Sequence, residues 1–133
     1  MRADDGDWPE QLHEDPPLID GTIDPVPTLL QLFRVLVQGP SMAPTLKHGD
    51  RLLVMRSSRG VRAGDVVVAR FLSRPDLLVV KRAARPEAYG WWVVGDNEFA
   101  TDDSRVYGVA EIVGRVLCRY RPRPQLIRRR PNL

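Results

Sequence analysis

The chain predicts an all-β domain, a compact antiparallel barrel or sandwich. Three observations carry this. Short runs rich in valine and leucine recur at 10–15 residue spacing between residues 34 and 120. Gly-Asp pairs punctuate them at Gly49-Asp50, Gly64-Asp65 and Gly95-Asp96. No stretch sustains the apolar period of an amphipathic helix. β-branched runs broken by turn residues are the pattern of small antiparallel β folds.

The elements follow in order. Residues 1–27 carry eight acids against Arg2 alone, and five prolines. Such a segment buries too little apolar surface to offset its ordering entropy, so it reads as a disordered arm. Residues 28–120 form the domain. A strand over 34–38 leads into the turn Gly39-Pro40-Ser41. Strands follow at 51–55, 66–70, 77–82 and 90–94. Runs at 109–113 and 115–120 finish the sheet. Residues 121–133 hold five arginines, three prolines and no acid, and read as an irregular basic tail.

Bulk composition narrows the class. A chain of 133 residues is one domain, expected to be a monomer. Its single cysteine, Cys118, excludes an internal disulfide and reads as a small buried strand residue. The longest apolar stretches are about five residues, far short of the roughly 18–20 that span a bilayer. The acidic start has no apolar core of a signal peptide. A cytoplasmic protein is expected, with peripheral membrane contact left open through the arginine tail. Nothing matches a nucleic-acid-binding module, so no nucleic acid partner is expected. His13 in the acidic arm, His48 in a turn and Cys118 are badly spaced for a metal, so neither metal nor cofactor is expected.

Two side chains stand out chemically. Ser41 sits between Pro40 and Pro44, each of which fixes its own φ and stiffens the turn. Met42 reads as an inward anchor of that turn and a wall of a substrate pocket. Lys81 ends the apolar run Leu77-Leu78-Val79-Val80. A serine needs a base to become a nucleophile. A lysine serves as one only when apolar surroundings disfavour its charged form. The commoner fate of such a lysine is to extend its ammonium to water. A third block comprises Gly95-Asp96-Asn97 and Asp103-Ser104-Arg105. There Asp103 and Arg105 are suited to a charge-assisted pair that supports the loop.

The three blocks, in this order, resemble type I signal peptidases, the Ser/Lys proteases of peptidase family S26. The resemblance spans about residues 35–120. It implies a β fold of the signal-peptidase and SOS-repressor protease type, Ser41 as nucleophile and Lys81 as general base. It implies that the backbone N–H of Ser41 forms part of the oxyanion hole. The family's lysine-orienting serine is matched by Thr101, whose hydroxyl can serve alike. The usual N-terminal membrane helix has no counterpart here. The step from Lys81 to Gly95 leaves no room for a large second domain. In both respects the chain is similar to the small soluble proteases that mature nickel-type superoxide dismutase. The implied substrate is a precursor protein that loses an N-terminal propeptide or signal peptide, foremost a nickel-type superoxide dismutase precursor. Two alternatives stand beside this: a self-cleaving regulator of the SOS-repressor kind, and a non-catalytic β-barrel binding module.

Overall fold

The computed structural model describes the backbone of residues 2–3 and the whole of residues 31–131. These hold eight strands in one antiparallel sheet: β1 (Arg2–Ala3), β2 (Leu32–Leu36), β3 (Arg51–Met55), β4 (Val66–Phe71), β5 (Arg74–Glu87), β6 (Gly90–Val94), β7 (Ala110–Arg121) and β8 (Gln125–Leu126). Their order is β1-β2-β3-β7-β4-β5-β6, with β8 also on β7. β6 pairs back onto β7 through Trp91 and Ala110, so β7, β4, β5 and β6 close into a ring. The expected all-β class is what the chain adopts. Among the described residues one α-helical turn, α1 (Ser104–Tyr107), capped by the Asp103 side chain, departs from it.

Side-chain alternation explains how one sheet holds two cores. Along β4, Val66 and Val68 face one cluster with Val35, Met42, Leu46, Leu52 and Val116. Val67, Ala69 and Phe71 face the other with Val79, Ala83, Val93 and Ile112. A central strand buried on both faces is a continuous apolar run, as the sequence of β4 is. β2 and β3 alternate because only one of their faces is covered.

Three expectations are corrected. The runs at 109–113 and 115–120 are one strand, β7, which passes through Gly114 without a turn. A Cβ there would lie 2.5 Å from the Met55 carbonyl oxygen, so glycine serves the close approach of β3. The strand over 77–82 is the middle of the longer β5, which forms a hairpin with β6. The basic tail is docked: β8 pairs with β7, and Ile127 donates its N–H to Leu117 and packs on the first core. Arginine side chains fix its end, since Arg129 binds Asp65 at 2.8 Å and Arg130 reaches Asp96 at 3.2 Å. Composition alone hid this, because each arginine's acid lies far away in sequence. The disordered-arm expectation for residues 1–27 lies outside the described residues, except that Arg2–Ala3 pair with β2.

Candidate active site

The serine turn follows β2. Ala43 donates to the Pro40 carbonyl at 3.0 Å and Leu46 to the Met42 carbonyl at 2.9 Å, winding residues 40–46 tightly. Met42 is 1% exposed and joins the first core, so it fastens the turn from below. His48 closes the turn's base: its Nδ1 accepts the Gly39 N–H at 3.0 Å.

A second loop clamps this turn. Asn97 donates its backbone N–H to the Ser41 carbonyl at 2.9 Å and its Nδ2 to the Pro40 carbonyl at 3.0 Å. Gly95 passes so near that a Cβ would sit 2.5 Å from the Ser41 carbonyl oxygen. The Ser41 N–H has no acceptor among the described residues. It remains available as a donor beside the hydroxyl.

Lys81 comes from mid-β5, where it pairs in register with Val67 of β4. Only 3% of it is exposed. Lys81 and Ser41 line one cleft of about 300 Å³, walled by Leu77, Val79 and Met42 and edged by Ala100 and Asp102. Burial drives the Lys81 pKa below that of a free lysine, and this outweighs the opposing pull of Asp103 and then Asp102. No described residue accepts a hydrogen bond from its amine. A lysine so placed gives up its proton more readily than a solvated one.

The third block holds the loop from beneath. Asp103 is fully buried and accepts Gly95 N–H at 2.9 Å and Arg105 Nη2 at 2.6 Å. Burial alone would raise its pKa. The hydrogen bonds from Arg105 and the Gly95 and Arg105 N–H groups reverse that and hold the carboxyl below the usual carboxylate range. The expected Asp103–Arg105 pair is therefore present. Ser104 is buried, and its Oγ accepts the Val93 N–H at 2.8 Å, tying α1 to β6. Thr101 is exposed and does not line the cleft, although its neighbours Ala100 and Asp102 do; its hydroxyl makes no hydrogen bond to Lys81, and its carbonyl accepts the Asp103 N–H at 2.8 Å.

One supporting residue was missed in the sequence. Arg82, next to Lys81, is 3% exposed and forms a forked pair with the carboxylate of Asp96. Thr45 of the serine turn also donates its hydroxyl to Asp96. Asp96 thus links β5 to the turn that carries Ser41. An arginine at a strand's polar end gives no sign of its acid. The only available signal was the strand alternation that sends Arg82 to the face opposite Lys81.

A nearly all-β sheet closed on itself, with a largely apolar cleft beside a clamped serine turn, defines a β-barrel-like domain of the protease type. Residues 9–117 match the Peptidase S24-like family, and the chain belongs to that family. It is similar to mitochondrial inner membrane protease subunit 1 of Xenopus tropicalis, 32% identical over 114 residues, covering 66% of this chain and 68% of that protein. The proteins of that name from Homo sapiens and Mus musculus are each 30% identical over 97 residues, covering 56% of this chain and 58% of theirs. Among the described residues, no helix is long and apolar enough to cross a membrane.

Proposed function

We propose that the chain is a serine endopeptidase with a Ser41–Lys81 dyad that removes an N-terminal propeptide or signal peptide from a precursor protein. One observation carries this: two residues forty positions apart line one cleft, and the lysine is buried with a lowered pKa. In this mechanism neutral Lys81 takes the Ser41 hydroxyl proton as Oγ attacks the scissile carbonyl. The tetrahedral oxyanion accepts a hydrogen bond from the Ser41 N–H. Protonated Lys81 then gives its proton to the departing amine, leaving an acyl-serine ester. Water, deprotonated by Lys81, hydrolyses that ester and frees Ser41. Thr101 is the proposed lysine-orienting hydroxyl, with Gly95, Asp96, Asn97, Asp103, Ser104 and Arg105 holding the loop. The relatives named as inner membrane protease subunits support a protease. A nickel-type superoxide dismutase precursor is the proposed substrate, on the resemblance to its maturation proteases.

The test incubates that precursor with the wild type, Ser41→Ala and Lys81→Ala, and reads its mass. Each single variant should abolish cleavage with the fold intact. The double variant should be no worse, because a nucleophile and its base act as a unit. Substantial turnover by Lys81→Ala would place the base elsewhere.

A further inference from the structure

A second concavity, of about 1040 Å³, borders the other side of the serine turn. Pro44 and Thr45 form its near edge, while residues 37–42 of the same turn edge the cleft. Its other walls come from β7 and the docked tail. Lys47, Arg82, Arg119, Arg123, Arg128 and Arg130 line it, against one carboxylate, Asp50. Asp50 is engaged by Arg119, and Asp96 by Arg82 and Arg130. Lys47, Arg123 and Arg128 form no ion pair among the described residues, so the cavity as those residues line it carries a cationic excess.

We infer that this cavity holds an acidic stretch of the polypeptide whose scissile bond lies in the Ser41 cleft; this rests on the endopeptidase reading above. Charge complementarity requires an anionic occupant, and guanidinium forks fit carboxylates in pairs. Shape and composition then choose among anions. The cations line a concavity, and a bilayer surface is too flat to touch more than its rim. Bases of a single-stranded nucleic acid need aromatic platforms, and no Phe, Tyr or Trp lines the cavity. A peptide meets both conditions. The two sites share one turn, so an extended chain can leave the cleft and enter the cavity.

The binding test uses the full chain carrying Ser41→Ala, so that nothing is cut, and a fluorescein-labelled Glu/Gly peptide read by anisotropy. Saturable, salt-sensitive binding is expected, with a Gln/Gly peptide failing to bind. Replacing Arg123 and Arg128 together by Gln should weaken it roughly fivefold or more, at an unchanged melting temperature. Lys47→Glu, on the opposite wall, should weaken it as well. Equal binding of the Gln/Gly peptide, or unaltered binding by both variants, overturns the proposal. So does tighter binding of phosphatidylglycerol vesicles or of an oligothymidylate. In a parallel cleavage assay, Arg123→Gln/Arg128→Gln should raise KM for a precursor bearing an acidic run and leave kcat unchanged. It should not alter cleavage of the same precursor with Gln in that run. Failure of the wild type to cut either precursor would sink the endopeptidase reading, while anisotropy would still decide the cavity.

Discussion

Asn97 holds Ser41 by the backbone: its N–H meets the Ser41 carbonyl at 2.9 Å while its Nδ2 grips the preceding Pro40 carbonyl at 3.0 Å. The serine is thus positioned by a loop 56 residues further along the chain. That loop is in turn fixed by Asp103 through the Gly95 N–H. Placement of the Ser41 backbone therefore depends on a separate loop and on the buried carboxylate that holds it.

Gly95→Ala tests this clamp. The added Cβ would lie 2.5 Å from the Ser41 carbonyl oxygen, so the turn or the loop must shift. Overpacking of this sort costs about 1–3 kcal/mol. A displacement near 1 Å at a nucleophile costs about a hundredfold in rate. The variant should fold, melt lower and cleave about a hundredfold more slowly. Wild-type turnover would show that the clamp is not needed.

Activity should rise with pH through a group titrating below ~10.4, the value of a free lysine, because only neutral Lys81 accepts a proton. A flat profile between pH 6 and 9 would exclude Lys81 as the base. Stability should show the same titration. The folded-state pKa of Lys81 is depressed, so the unfolded chain binds more protons between that pKa and ~10.4. Stability from this residue therefore rises with pH across that window. Below the folded pKa its burial cost is present in full, and above ~10.4 it is gone. Lys81→Met should raise the melting temperature at pH 7 and lose most of that gain by pH 10.5. Thermal melts of the variant and the wild type at both pH values measure it.

The Arg82–Asp96 pair, 3% and 1% exposed at its side chains, should be the costliest charged contact to break. Removing one partner of a buried pair leaves the other charge unmatched, at about 3–5 kcal/mol. Asp96→Ala should therefore destabilise by that amount and also release Thr45 of the serine turn. Burial would raise the Asp96 carboxyl, but bonds from Arg82 and Thr45 outweigh this and lower its pKa. Its stabilisation is thus fully present above the unfolded value, ~3.9, and is lost as pH falls through the lower folded value. Urea titrations at pH 7 and pH 3 should show a smaller gap between wild type and Asp96→Ala at pH 3.

Thr101→Val should slow cleavage less than Lys81→Ala if the Thr101 hydroxyl orients the amine. The measurement is kcat at saturating substrate, with the pH profile as control. An unaltered kcat and profile would remove Thr101 from the site.

The β class was legible because short β-branched runs and Gly-Asp turns are local. In both His48-Gly49-Asp50 and Arg62-Ala63-Gly64-Asp65, the aspartate accepts the N–H three residues back, at 2.8 and 2.9 Å. Ser41, Lys81 and the Asp103 loop were visible as ordered motifs. What escaped was long-range pairing. Nothing near Arg82 names Asp96, and nothing near Arg129 names Asp65. Gly114 divided one strand into two runs because a strand glycine serving close approach looks like a break in sequence. The short helix α1 was hidden because one turn capped by Asp103 leaves no apolar period.

The last expectation concerns the residue before the scissile bond. The cleft holds only about 300 Å³ and is walled by Met42, Leu77 and Val79. Met42 is packed in the core and does not yield readily. Walls placed so close to Ser41 should favour Ala, Gly or Ser before the cut, and their apolar surface offers an entering charge little solvation. A precursor with Ala→Phe or Ala→Lys before its cleavage site should persist uncut where the parent is processed. Proline just after the cut should also block the reaction, because it distorts the leaving amide. Enlarging the wall with Leu77→Ala should restore some processing of the Phe variant, though not of the Lys variant, which is rejected by charge rather than size. Mass spectrometry of the four precursors against both enzymes gives the answer. Equal processing of Ala, Phe and Lys precursors by the wild type would mean that the pocket lies elsewhere, even with Ser41 as the nucleophile.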